Sequence, residues 1–194
     1  MFDSRKVALL GVLAALNSVV RLLGAGIMGM ETAFALVILA GFVFGARFGF
    51  LLGFVSILAS SAVTGGIGPW LPFQLIGAAL VGLGAGLLPK VKTWTTKLVT
   101  LSVYAVLSSY FYGIFITAWT WPIFTGPDTS LSFSADLSLG DNVGRFIQFE
   151  VISGGLIWDT GRAITTVALI AICGKALITT LNRAATRANF LKLS

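Results

Sequence analysis

Asp159 and Arg162 stand three residues apart inside a strongly apolar run, so one helical turn would bring a carboxylate and a guanidinium together. Gln148, Ile152, Gly155 and Thr166 recur around them at intervals of three or four, a spacing that puts all six on one helical face. An ionisable group at membrane depth costs about 3 kcal/mol or more and normally faces the interior of a bundle. Such a stripe can stitch helices together or grip a polar ligand, and the spacing leaves both open. Glu150 lies on a different face near the start of the same run. A carboxylate there suits the positive end of a helix dipole as well as it suits a ligand.

The residue inventory removes most catalytic schemes. The chain has no histidine and one cysteine, Cys173, so a Ser-His or Cys-His dyad, a His-ligated metal and an internal disulfide are excluded. Gly174-Lys175 is followed by Ala176 and lacks the earlier glycine of a phosphate-binding loop. An intramembrane enzyme would have to work with Asp159 or Glu150 unaided. The expectation is therefore a binding or transport protein with no catalytic residue, no metal and no cofactor of its own.

A second candidate is the stretch TGGIGPWLPFQ, residues 64–74. Gly65, Gly66 and Gly68 permit backbone conformations closed to other residues. Pro69 and Pro72 fit the first turn of a following helix, where a missing N–H costs little. Trp70 and Gln74 are one turn apart and would project from the same face, with Phe73 beside them. The stretch is either a tight connection with an interface-anchoring tryptophan or a recognition loop. Further along, the fifth span is rich in aromatics, Tyr112 and Trp121 included, and Tyr104, Ser108, Phe111, Phe115 and Trp119 share a helical face. They read as an interfacial belt or as the wall of a pocket for a flat ligand.

The elements that must position these residues follow from composition. Hydrophobic residues make up 57% and charged residues 10% of the 194, with a mean hydropathy of +0.97. Soluble domains carry about 25% charged residues, so this is a membrane protein. Runs long enough to cross a bilayer fall at about 6–28, 32–46, 48–64, 70–89, 98–123 and 146–178. The expected fold is an all-α bundle of six transmembrane helices in a single domain spanning 1–194. The second and third spans are short and joined by a tight turn at 45–49, although one long helix or a re-entrant pair over 32–64 fits the same run. The first span continues through Asn17 and Arg21 without an AxA-like cleavage site and reads as a retained helix rather than a signal peptide. No internal repeat stands out.

Net charge is +6, carried in short clusters between apolar runs, which marks topology signals and not a nucleic-acid surface. With six spans, 10 of the 13 basic residues fall on one face, and the other holds Glu31 and the polar segment 124–145. Both termini are therefore expected in the cytoplasm, with 124–145 as a long external loop serving as a lid or a linker. In the first span, Ala8, Gly11, Ala15 and Ser18 form a stripe of small side chains that would let another helix approach closely, from this chain or from a partner.

GPWLPFQLIGAALVGLGAGLLP (68–89), the six-span length, WDTGRA (158–163) and LNRAATR (181–187) together resemble the S-components of energy-coupling factor (ECF) transporters. The branch they look most like is the one often linked to cobalamin. The resemblance implies a vitamin-binding subunit in a bacterial cell membrane. It would dock through its first three helices onto a transmembrane coupling protein driven by two ATP-binding-cassette ATPases, and topple to carry ligand inward. The family's docking signature is a pair of alanines four apart in the first helix. The matching small positions here are Gly11 and Ala15, with glycine in the first place, and Ala8 and Ser18 on the same face. Carried onto this chain, the family's outward-facing substrate site points to the loop near Gly24–Glu31, to Trp70, Phe73 and Gln74, to Tyr112 and Trp119, and to the outer part of the last helix with Gln148, Glu150, Asp159 and Arg162. Cobalamin is the first substrate expectation. Riboflavin and a queuosine precursor are alternatives, and a stand-alone channel or secondary transporter is the rival class.

Overall fold

The computed structural model describes residues 4–23, 32–64, 66–126 and 129–188. The regular structure of these residues is entirely helical: α1 (Ser4–Leu23), α2 (Ala33–Phe44), α3 (Ala46–Thr64), α4 (Leu71–Leu87), α5 (Trp94–Thr125), α6 (Leu139–Ile152) and α7 (Gly155–Arg187). Among them α3, α5 and α7 are long and apolar enough to cross a membrane, while α2 and α4 are shorter apolar helices.

α2 is apolar on every side because it runs through the middle of the bundle. Of its twelve residues only Val43 escapes full burial, and α1, α3, α4, α5 and α7 all touch it. Around this centre α3 packs most extensively on α4, and α5 on α7. The α3–α4 crossing depends on missing side chains. A Cβ on Gly49 would fall on the Gly82 carbonyl, one on Gly82 would fall on the Gly49 carbonyl, and one on Gly53 would strike the carbonyl of Ala78. Close backbone approach at small residues is how helices gain packing energy where lipid removes the hydrophobic driving force. The α2–α3 reversal takes a single residue, Gly45, whose φ of 93° lies in the region that glycine tolerates best.

The run expected to form one helix over 146–178 is broken. α6 ends at Ile152, Ser153 and Gly154 turn, and α7 begins at Gly155. Gly154 adopts φ 78°, a left-handed conformation that closes α6, while the Ser153 amide donates to the Phe149 carbonyl at 2.8 Å. The six-residue stripe is therefore cut in two. Gln148 and Ile152 are exposed on α6, whereas Asp159, Arg162 and Thr166 are buried on α7.

The polar segment expected at 124–145 is likewise shorter and more ordered. α5 continues to Thr125 and α6 starts at Leu139, where the Ser138 hydroxyl accepts from the Asp141 amide at 3.2 Å. Between them, Trp121 Nε1 donates to the Leu131 carbonyl at 2.8 Å and Arg145 donates to the Ser132 carbonyl at 2.7 Å. Asn142 brackets Ser134, accepting from its amide at 3.0 Å and donating to its carbonyl at 2.8 Å. These bonds make a cover fastened to the helix ends, not slack chain.

Basic side chains gather at the opposite end. The Lys90 ammonium donates to the Phe42 carbonyl and sits 4.4 Å from the centre of its ring, placing the end of α2 beside the α4–α5 connection. Phe42, Lys90, Lys97, Ile178 and Asn182 line one cleft there, and Arg5, Arg183 and Arg187 edge a groove between the start of α1 and the end of α7.

Candidate functional site

In the second turn of α7, Arg162 Nη1 donates to Asp159 Oδ1 at 2.6 Å and to the Ser109 carbonyl on α5 at 3.2 Å. Its guanidinium also lies 4.8 Å from the centre of the Tyr112 ring and 5.6 Å from that of Phe34, held by aromatic faces as well as by charge. The pair fits between the helices because Gly113 has no side chain; a Cβ there would fall on the Asp159 carboxylate. Asp159 is 1% exposed, yet its Oδ2 has no hydrogen-bond partner among the described residues, nor has Arg162 Nε.

Both residues line a cavity of about 310 Å³. α1 contributes Arg21 to it and α4 contributes Gln74. α5 adds Tyr112, Gly113, Ile116 and Thr117, and α7 adds Gly155, Trp158, Asp159 and Arg162. Arg21 donates to the Ser60 hydroxyl at 2.7 Å, so the last turn of α1 is tied to α3 at the cavity's edge. The cavity lies in the half of the bundle that carries the 66–70 connection and the 129–138 cover, away from the basic end. Glu150 on α6 adjoins it. Its side chain is buried, and its carboxylate lies against the Cα of Gly155, where a Cβ would meet both oxygens.

Of the residues singled out in the sequence, the structure brings Gln74, Tyr112, Asp159 and Arg162 to one cavity and Glu150 to its border. Phe73 and Trp119 form a separate stacked pair, with ring centres 4.8 Å apart and planes 13° from parallel, and Trp119 is 53% exposed. Trp70 folds back so that its indole covers Gly68, and it lines no part of the cavity. Gln148 is exposed on α6. The loop near Gly24–Glu31 and Gly65 lie outside the described residues.

Arg21, Thr117 and Trp158 were not anticipated as site residues. An arginine inside an otherwise apolar span was the signal for Arg21, by the same cost argument that singled out Arg162. Trp158 adjoins Asp159 in sequence, but only the helix start at Gly155 sets the face it occupies. On α1, Ala8, Gly11 and Ala15 are exposed, and a Cβ on Gly11 would meet nothing within 4 Å. Ser18 instead points inward, donating to the carbonyls of Ala14 at 2.8 Å and Ser56 at 3.2 Å.

Residues 1–149 match the model of the family described as ECF-type riboflavin transporter, S component. The chain belongs to that family. The match covers α1 to α5 and most of α6, and so includes Arg21, Gln74, Tyr112 and Thr117; Trp158, Asp159 and Arg162 lie beyond it. No curated protein matches the chain. Membership makes it an S-component, a substrate-binding subunit of an ECF importer and not an enzyme. Its apolar helices fit a multi-pass membrane protein.

Proposed function

We propose that this S-component captures riboflavin, or a flat vitamin of similar size, in the cavity between α1, α4, α5 and α7. The observation that carries the reading is the lining itself, which sets Tyr112 and Trp158 beside Gln74 and the Asp159–Arg162 pair in about 310 Å³. That volume is at the lower end of small-molecule sites, and the lining sets aromatic rings beside polar and charged groups. A flavin's ring system and polar tail suit it. A corrinoid, the first expectation from the sequence, is a macrocycle with a nucleotide tail and is far too large for a cavity of about 310 Å³.

On this reading the helices make six crossings, with the α6–α7 pair sharing the last, and both termini face the cytoplasm. The collection of Arg5, Lys90, Lys97, Arg183 and Arg187 at one end supports that orientation. The partners are a transmembrane coupling protein and two ATP-binding-cassette ATPases, docked against the exposed small face of α1. Titration of the purified subunit with riboflavin, followed by quenching of flavin fluorescence, tests the ligand. Saturable quenching that cobalamin does not reverse supports the assignment. Saturable cobalamin binding with no quenching of riboflavin transfers it to the corrinoid branch.

A further inference from the structure

We infer that Glu150 and Asp159 form a clasp for hydroxyl donors on the ligand, which on the riboflavin reading proposed above is its ribityl chain. Among the described residues, the buried side-chain atoms without a hydrogen-bond partner include both oxygens of Glu150, Oδ2 of Asp159 and Nε of Arg162. All three residues lie at or beside the α7 wall of the cavity. Buried polar atoms are normally paired, and one left unpaired bears the full cost of its desolvation. Four on neighbouring residues therefore mark a place where something else completes the bonding.

The chemistry of that partner is constrained. An ionised carboxylate only accepts hydrogen bonds, so what faces Glu150 must donate. A phosphate or carboxylate on the ligand would be repelled there. An ammonium would sit near two guanidiniums, since Arg162 already pairs with Asp159 and Arg21 lines the same cavity. A row of neutral hydroxyls avoids both penalties. It can give hydrogens to Glu150 and Asp159 while one hydroxyl oxygen accepts from Arg162 Nε.

Access depends on Gly155. It lines the cavity, and any side chain there would overlap the Glu150 carboxylate. With no Cβ there, the buried Glu150 carboxylate packs directly against a residue of the cavity lining.

The test compares riboflavin with lumiflavin, which has the same ring system and a methyl group in place of the ribityl chain. The native subunit should bind riboflavin roughly tenfold or more tightly than lumiflavin, the scale of hydrogen bonds to charged groups. Glu150→Gln, which keeps the shape but replaces one acceptor with a donor, should remove most of that preference. Equal affinity for the two flavins in the native subunit overturns the clasp while leaving the riboflavin assignment standing. An unchanged preference in Glu150→Gln does the same. Failure of the native subunit to bind either flavin overturns the proposed function and the clasp with it. The native comparison requires no variant to fold.

Discussion

Gly113 on α5 and Asp159 on α7 meet with no room between them, and a Cβ on Gly113 would coincide with the carboxylate. The glycine thus sets how closely α5 and α7 approach, and that distance lets Arg162 reach both Asp159 and the Ser109 carbonyl. Gly113→Ala should push the carboxylate aside and cost about 1–3 kcal/mol, the usual range for overpacking. Thermal unfolding in detergent reads the loss. An unshifted melting temperature together with unchanged ligand affinity would mean the helices separate freely, and the tight crossing would not matter.

The Asp159–Arg162 pair is buried, so its two members should be strongly coupled. Removing one strands the other charge in a low-dielectric interior, at about 3–5 kcal/mol, whereas replacing both with apolar residues of similar volume is far less costly. Asp159→Leu and Arg162→Met should each destabilise the subunit more than the double variant does. Additive losses in a double-mutant cycle would show that each residue acts alone.

Gln74 and Trp70 stand one turn apart, yet the structure separates their roles. Gln74 lines the cavity, while Trp70 covers Gly68 and shapes the turn before α4. Gln74→Ala should weaken ligand binding several-fold, near 1 kcal/mol for one hydrogen bond. Trp70→Ala should lower stability more than it lowers affinity. Isothermal titration alongside thermal unfolding separates the two, and a larger affinity loss at Trp70 would place the indole on the ligand.

Much of the helical frame was legible because apolar runs bounded by glycine, proline and charge are unambiguous. The ends of α2, α3 and α4 fall within two residues of their expected positions. The small residues Gly41, Gly49, Gly53, Ala78 and Gly82, which fall in runs spaced at four, serve close packing inside the chain. The break at Gly154 was not legible. A glycine inside an apolar run is tolerated in a helix, and nothing local states that this one takes a positive φ. That single dihedral removed Gln148 from the stripe and buried Glu150 at the border of the cavity. Trp121 was hidden for a related reason. A tryptophan near the end of an apolar run suits an interfacial belt, yet it is buried against Phe133 and Phe146 because the segment carrying Leu131 and Phe133 is bonded back to it.

Gly11 provides the cleanest separation of fold from assembly. It lies on the exposed side of α1, and a Cβ there would meet nothing within 4 Å among the described residues. Gly11→Leu should therefore leave the melting temperature within about 0.5 kcal/mol equivalent of the native value, since changes away from packed features rarely do more. Ligand affinity should also hold, because the cavity touches α1 only through Arg21, nearly three turns away. Association with the coupling protein should fall sharply, because helices in lipid associate through small residues that permit close approach. Co-purification of the reconstituted complex reads that loss. Intact assembly with Gly11→Leu would move the docking face off this part of α1. Loss of ligand binding and assembly together, with a lowered melting temperature, would instead make Gly11 a folding residue.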